Sequence, residues 1–277
     1  MAKKNEKTTH ASRVLLKDMP LTSSLKFKAE EAYKSIRTNI MLSVMKKGCK
    51  KVVISSSAPG EGKTTTTINL AISIAEADQK VLLIDGDLRK PKIHHYFSTQ
   101  NSPGLTNYLG SMVSNSKRMD LNSVIYPTEV ANLSILPSGS IPPNPSEILG
   151  SDPMRDFLEE LEDKYDYIII DTPPLNVVSD ALPLIKETDG VVLIVRSNAS
   201  TYPELDKALT SLEFINAKIL GFVVNFEEGE GKRYYGGRYY GRYYGRYYGR
   251  YYKYKYGYNY GYDYGYGYSY GSKPKKK

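Results

Sequence analysis

The sequence predicts an α/β fold: a mostly parallel sheet covered by helices on both faces, followed by a disordered tyrosine-rich C-terminal tail. Three observations predict it. Short, near-continuous Val/Ile/Leu runs recur with helical segments between them, the pattern of a parallel sheet buried on both sides. A glycine-rich turn joins the first of these runs to a helix. From Lys232 onward the aliphatic residues vanish, and 19 of the last 46 residues are Tyr. Such a segment has nothing from which to build a core.

Taken in order, residues 1–24 are polar and basic and are expected to be flexible. A helix is expected from Leu25 to Lys47, because Tyr33, Ile36, Ile40 and Val44 repeat along one face. The runs Val52–Ser55, Val81–Ile84, Tyr167–Ile170, Val191–Val195 and Ile219–Val224 are expected to be fully buried strands. Leu133–Leu136, close to Pro137, reads as a shorter strand or an edge, and the Pro142–Pro145 cluster as a rigid loop. The chain thus divides into a basic N-terminus (1–24), one α/β domain (25–226) and a tail (227–277). The tail's RYYG units are too short for a solenoid repeat.

Charge follows the same division. Residues 1–51 carry 13 Lys/Arg against 4 Asp/Glu, residues 52–231 carry 13 against 25, and residues 232–277 carry 12 against 1. The net +8 therefore conceals an acidic domain between two basic ends, and no specific nucleic-acid partner is expected from it. A single cysteine, Cys49, excludes an internal disulfide and suits a reducing cytoplasm. No apolar run approaches the roughly 18–20 residues that span a bilayer. The opening MAKKNEKTTHASR has no apolar segment behind it, so a soluble protein is expected.

The first strand runs into Ser57-Ala58-Pro59-Gly60-Glu61-Gly62-Lys63-Thr64-Thr65, a P-loop variant with Ser57 where the strict pattern has Gly. Gly60 and Gly62 let backbone N–H groups turn toward phosphate oxygens, and the helix opening near Lys63 adds its positive end. Lys63 is placed to reach the β/γ-phosphates of ATP, and the Thr64 hydroxyl to reach Mg²⁺. Pro59 through Thr65 are the expected nucleotide-binding residues.

Two strands end in carboxylates, in VLLIDGDLRKP and YIIIDTPP. A parallel sheet brings both to the edge that carries the P-loop. Asp171 is the natural Walker-B carboxylate for Mg²⁺. Asp85 and Asp87, two residues apart, exceed what one Mg²⁺ takes from a protein, which leaves one to accept a proton from an incoming hydroxyl. A phenol, with a pKa of roughly 10, needs such help at neutral pH. Asp85 is assigned to that role or to the metal shell, with Asp87 as the alternate, since spacing does not separate the two; Asp87 has the further option of pairing with Arg89 or Lys90.

These blocks resemble the bacterial tyrosine kinases that control capsular and exopolysaccharide synthesis. The resemblance rests on PGEGKTTT at 59–66, IDGDLRKP at 84–91, IIIDTPP at 168–174 and EEAYKSIRTNI at 30–40, and it covers about residues 25–226 plus the Tyr-rich tail. It implies a P-loop NTPase fold similar to the MinD/ParA ATPases, ATP and Mg²⁺ as cofactors, and autophosphorylation of the tail. The candidate acceptors are Tyr234, Tyr235, Tyr239, Tyr240, Tyr243, Tyr244, Tyr247, Tyr248, Tyr251 and Tyr252. It also implies a homo-oligomeric ring through the Glu31–Arg37 helix, with one tail in a neighbour's site. A transmembrane activator would recruit the chain to the inner face of the membrane, an opposing tyrosine phosphatase would reverse the modification, and Asn225 would contact adenine.

Two rival readings have sequence features of their own. A positioning ATPase of the MinD/ParA type typically carries a second lysine five residues before the P-loop lysine, where this chain has Ala58. An RNA-binding Arg–Tyr tail suits stacking and charge, yet leaves its fusion to an ATP site unexplained. His94 and His95 have no ligand-type neighbours at metal spacing and are not expected to hold a metal. Tyr165 and Tyr167 are expected to pack at a strand edge.

Overall fold

A computed structural model describes residues 22–114 and 117–226. The expectations for the N-terminal stretch up to residue 21 and for all the candidate tail tyrosines lie outside the described residues. Seven strands form one sheet: β1 (Lys50–Ser56), β2 (Val81–Asp85), β3 (Tyr126–Pro127), β4 (Leu133–Leu136), β5 (Tyr167–Asp171), β6 (Gly190–Arg196) and β7 (Ile219–Asn225). Their order is β3-β4-β2-β5-β1-β6-β7, and every pairing is parallel except β3 with β4. The helices are α1 (Ser23–Ser43), α2 (Lys63–Ala75), α3 (Ile93–Tyr96), α4 (Leu105–Val113), α5 (Pro145–Leu149), α6 (Asp152–Glu160), α7 (Ala181–Lys186) and α8 (Tyr202–Phe214).

Alternate residues of each strand feed opposite cores, as the two-residue period of a strand requires. Val52, Ile54, Leu83, Tyr167 and Ile169 pack with Ile68, Leu70 and Ile74 of α2 and Ile40 of α1. Val53, Leu82, Ile84, Ile168 and Ile170 pack with Tyr108, Phe157, Leu184 and Leu212 from α4, α6, α7 and α8. Each fully buried side chain of this size contributes about 1.5–3 kcal/mol, so two complete cores hold the central strands rigid at their carboxyl ends.

Leu133–Leu136 is the shorter strand of the two alternatives expected for it and not the edge, because the two-residue β3 covers its outer side and leaves it mostly buried. Three expectations are corrected. Ile219–Val224 is not fully buried: β7 is the opposite edge, it pairs with β6 alone, and Val224 is 47% exposed. Tyr167 lies in the central strand β5 rather than at an edge and is fully buried. The proline cluster is a loop only to Asn144, since Pro145 begins α5, a position where a missing N–H costs nothing.

The amphipathic helix expected over Leu25–Lys47 is α1, started by Thr22, whose hydroxyl accepts from the Leu25 N–H, and ended at Val44. Its inner face lies on α2. Arg37 donates to the Ser73 carbonyl at 2.5 Å, and the Tyr33 phenol lies beside Thr66 and Asn69. Glu31 and Lys34 pair on the outer face at 2.7 Å. Among the described residues no helix is long and apolar enough to cross a membrane.

Candidate active site

β1, β5 and β2 are neighbours, so the P-loop and both acidic strand ends meet at one edge of the sheet. Register fixes the acids: Asp85 pairs directly with Asp171 across β2 and β5. The Gly86 N–H donates to the Asp171 carbonyl at 2.7 Å, and a Cβ at position 86 would stand 2.8 Å from that oxygen. Only glycine lets the two strand ends close this tightly.

The loop after β1 turns at Gly60 and Gly62, with φ of 81° and 83°, the left-handed region that favours glycine. Gly62 caps α2 and Lys63 opens it, which directs the first helix amides, free of intrahelical carbonyl partners, toward the loop. Pro59 and Gly60 are exposed at the tip, and Thr65 sits half-buried in the first turn of α2. Lys63 reaches across to Asp171, Nζ to Oδ1 at 2.7 Å, with both groups buried. Thr64 donates to the other oxygen at 2.7 Å, and Thr67 donates to Oδ1 at 3.0 Å. Asp171 is thus the hub on which the P-loop lysine and the two threonines converge.

Asp85 and Asp87, which spacing left equivalent, occupy different environments. Asp85 is fully buried, and its Oδ2 accepts from the Lys92 and Ile93 N–H groups at 2.9 Å each. Burial, and then the Asp171 charge beside it, push its carboxyl up to about 7, with the backbone donors and Lys63 acting in the opposite direction. Asp87 is half-buried and accepts from the Lys90 N–H at 3.0 Å. Arg89 turns instead to Asp180, donating to both carboxylate oxygens at 2.5 and 3.1 Å. The alternative pairing of Asp87 with Arg89 is therefore not formed, and the fork ties the β2–α3 loop to the start of α7.

Glu61, grouped with the nucleotide-binding residues, aims its side chain away from the loop's mouth. It is 3% exposed and accepts from the Ser57 hydroxyl at 2.9 Å, the Ala58 N–H at 2.9 Å and the Ser200 hydroxyl. A carboxylate facing the phosphates would repel them; turned inward, it braces the loop against the β6–α8 connection. Asn225 likewise faces inward, its Nδ2 donating to the Glu61 carbonyl and to Thr66 Oγ1, each at 2.9 Å. Sequence reading missed Ser200 and Arg196, whose guanidinium lies over the Phe226 ring. Neither sits in a motif. The only signal for a brace was an acid inside a phosphate loop, which has to turn away. Tyr96 lies within electrostatic reach of Asp171, and burial chiefly, then that charge, raise its phenol above the ordinary range. His94 and His95 stack on each other, ring centroids 3.9 Å apart.

Hard oxygen donors and a net negative pair of buried strand-end carboxylates fit a divalent cation that brings phosphate ligands with it. Among the described residues no group of three or more Asp, Glu, His or Cys side chains gathers to hold a metal.

Comparison with known proteins agrees with this geometry. Residues 49–219 match an AAA domain of the AAA_31 type. The chain is 40% identical over 195 residues to the tyrosine-protein kinase YwqD of Bacillus subtilis, covering 70% of this chain and 80% of that protein. The crystal structure of the chimerical protein CapA2B2 superposes with a TM-score of 0.69 at 36% identity, covering 79% of this chain and 91% of that one. The kinase domain of the Escherichia coli tyrosine kinase ETK gives a TM-score of 0.65 at 34% identity, covering 75% and 80%. With a nucleotide-binding P-loop and two acidic strand ends joined in one site, the chain belongs to the bacterial protein-tyrosine kinases of the P-loop type.

Proposed function

We propose that this chain transfers the γ-phosphoryl group of ATP to tyrosines of a C-terminal tail, its own or a neighbouring copy's, and so regulates capsular or exopolysaccharide synthesis. The observation that carries the proposal is the pairing, within one chain, of the Lys63–Asp171–Thr64 cluster beside Asp85 and Asp87 with a tail of 19 tyrosines.

Lys63 leaves Asp171 to meet the β/γ-phosphates, and the amides from Gly60 to Thr65 surround them. Thr64 and Asp171, with Asp85 behind them, would hold Mg²⁺, which supplies charge neutralisation on the phosphates. Asp87 is the base: it is half-buried and able to meet a phenol, whereas Asp85 is fully buried with an oxygen committed to two backbone donors. In a loose transition state that base mainly orients the hydroxyl and takes its proton late. The basic tail is drawn to the acidic domain. Its phosphates, at about −1.5 to −2 each, progressively cancel that attraction.

Assembly through the Glu31–Arg37 surface of α1, recruitment to the membrane by a transmembrane activator and reversal by a tyrosine phosphatase complete the proposal. Incubation with labelled ATP and Mg²⁺, followed by anti-phosphotyrosine detection, tests it, with Lys63→Met as control. Mass-spectrometric mapping is expected to place the label among Tyr234 to Tyr252. No phosphotyrosine, even with a membrane activator fragment added, would refute it.

A further inference from the structure

The chain leaves β7 under conformational load. Phe226 has φ of 57°, a left-handed conformation that a bulky side chain rarely adopts. The residue is 57% exposed, so burial does not account for the conformation. Specific contacts do. The ring lies on Gly62, with Cε2 3.3 Å from where a Cβ of residue 62 would stand. The Arg196 guanidinium covers the ring, 4.3 Å from its centroid. Arg196 Nη1 also donates to the Gly60 carbonyl at 3.4 Å. Beneath them the Ser197 N–H donates to the Asn225 carbonyl at 2.8 Å, which keeps the ends of β6 and β7 together.

We propose that Arg196 and Phe226 form a latch that fixes the origin of the tail on the P-loop, making Arg196 a positioning residue of the chain that presents the tail. The inference rests on tail phosphorylation as the function. A tether fixed at the mouth of the nucleotide site starts its search from a defined point, and losing that point lowers the fraction of time a tail tyrosine spends within reach of an acceptor site. An exposed cation–π contact sets the size of the effect at about two- to fivefold.

The test separates the chain that offers a tail from the chain that acts on it. A tagged Lys63→Met chain serves as tail donor and the untagged wild-type chain as catalyst. Arg196→Ala in the donor is expected to slow donor labelling about two- to fivefold, more than the same change in the catalyst does. Arg196→Lys, which keeps the charge over the ring, is expected to recover part of the loss, and Phe226→Ala in the donor to reproduce it. Hydrogen exchange at the Ser197 amide, which donates to the Asn225 carbonyl beneath the latch, needs no activity and is expected to quicken by a similar factor in Arg196→Ala. A labelling defect that follows the catalyst, or unchanged exchange at that amide, overturns the latch. Absence of tail labelling by wild-type chain refutes the proposed function instead, and exchange still decides the latch.

Discussion

Lys63→Met, the substitution any P-loop enzyme invites as an inactive control, is expected to do more than abolish transfer. Lys63 is buried and lies 2.7 Å from Asp171, whose strand partner is the fully buried Asp85. Removing it leaves two buried carboxylates side by side with no cation between them. Breaking a buried pair in this way costs about 3–5 kcal/mol. Protons relieve part of that cost, and the direction is fixed by Asp85. Its carboxyl is raised to about 7 by burial and by Asp171, while Lys63 pulls it down. Its proton therefore favours the folded state below neutrality, and that contribution is lost as pH rises through about 7. Without Lys63 the carboxyl moves higher still. Above pH 7 the folded variant then holds protons that the folded wild type has released. The stability gap therefore widens as pH rises above 7, by at most about 1.4 kcal/mol per pH unit. Urea unfolding of both proteins at pH 6 and pH 8.5, without nucleotide, measures the gap directly. Asp171→Asn added to Lys63→Met is expected to remove most of the pH-dependent part. A gap equal at the two pH values would refute the reasoning.

Further outcomes follow from the same site. Asp87→Asn is expected to slow tyrosine transfer by about 10²–10⁴-fold while leaving ATP affinity, measured calorimetrically, within about twofold of wild type; a comparable loss of affinity would place Asp87 in nucleotide binding. Glu61→Ala leaves the Ser57, Ala58 and Ser200 donors without their acceptor. It is expected to lower stability by about 1–3 kcal/mol and to weaken ATP binding, with Glu61→Gln recovering part; unchanged affinity would show that the brace does not shape the loop. Deleting residues 232–277 is expected to remove autophosphorylation while ATP binding persists, and residual phosphotyrosine in the truncated chain would direct attention to the tyrosines of the domain.

Much of the fold was legible because buried parallel strands announce themselves as unbroken Val/Ile/Leu runs. Val52–Ser55, Val81–Ile84 and Tyr167–Ile170 fall within β1, β2 and β5. What stayed hidden depends on neighbours that a local run cannot reveal. Ile219–Val224 is as apolar as the central strands, yet β7 has a partner on one side only. Tyr126–Pro127 has no strand signature and exists because Leu133–Leu136 offers it an open side. Within the site, motifs located Lys63, Thr64 and Asp171, since phosphate and metal chemistry fixes their spacing. Motifs did not distinguish Asp85 from Asp87, because burial separates them and burial is set by the backbone that folds over Asp85. The Arg89–Asp180 fork and Ser200 were invisible for a related reason: the partners are distant in sequence.

The closure of β2 on β5 at Gly86 has a consequence for how this enzyme can be altered. The spacing between the two acidic centres is written into strand pairing and a single missing methyl group, whereas most active sites keep such spacing in adjustable loops. Variation that retunes the chemistry is therefore confined to the residues after the strands, such as Asp87, Arg89 and the segment carrying Thr172. Any side chain introduced at position 86 would act like a wedge driven between two rails, meeting the Asp171 carbonyl and the buried Ile170 side chain together. The alignment of the two carboxylates and the packing of the layer beneath them are thus tied to the same residue.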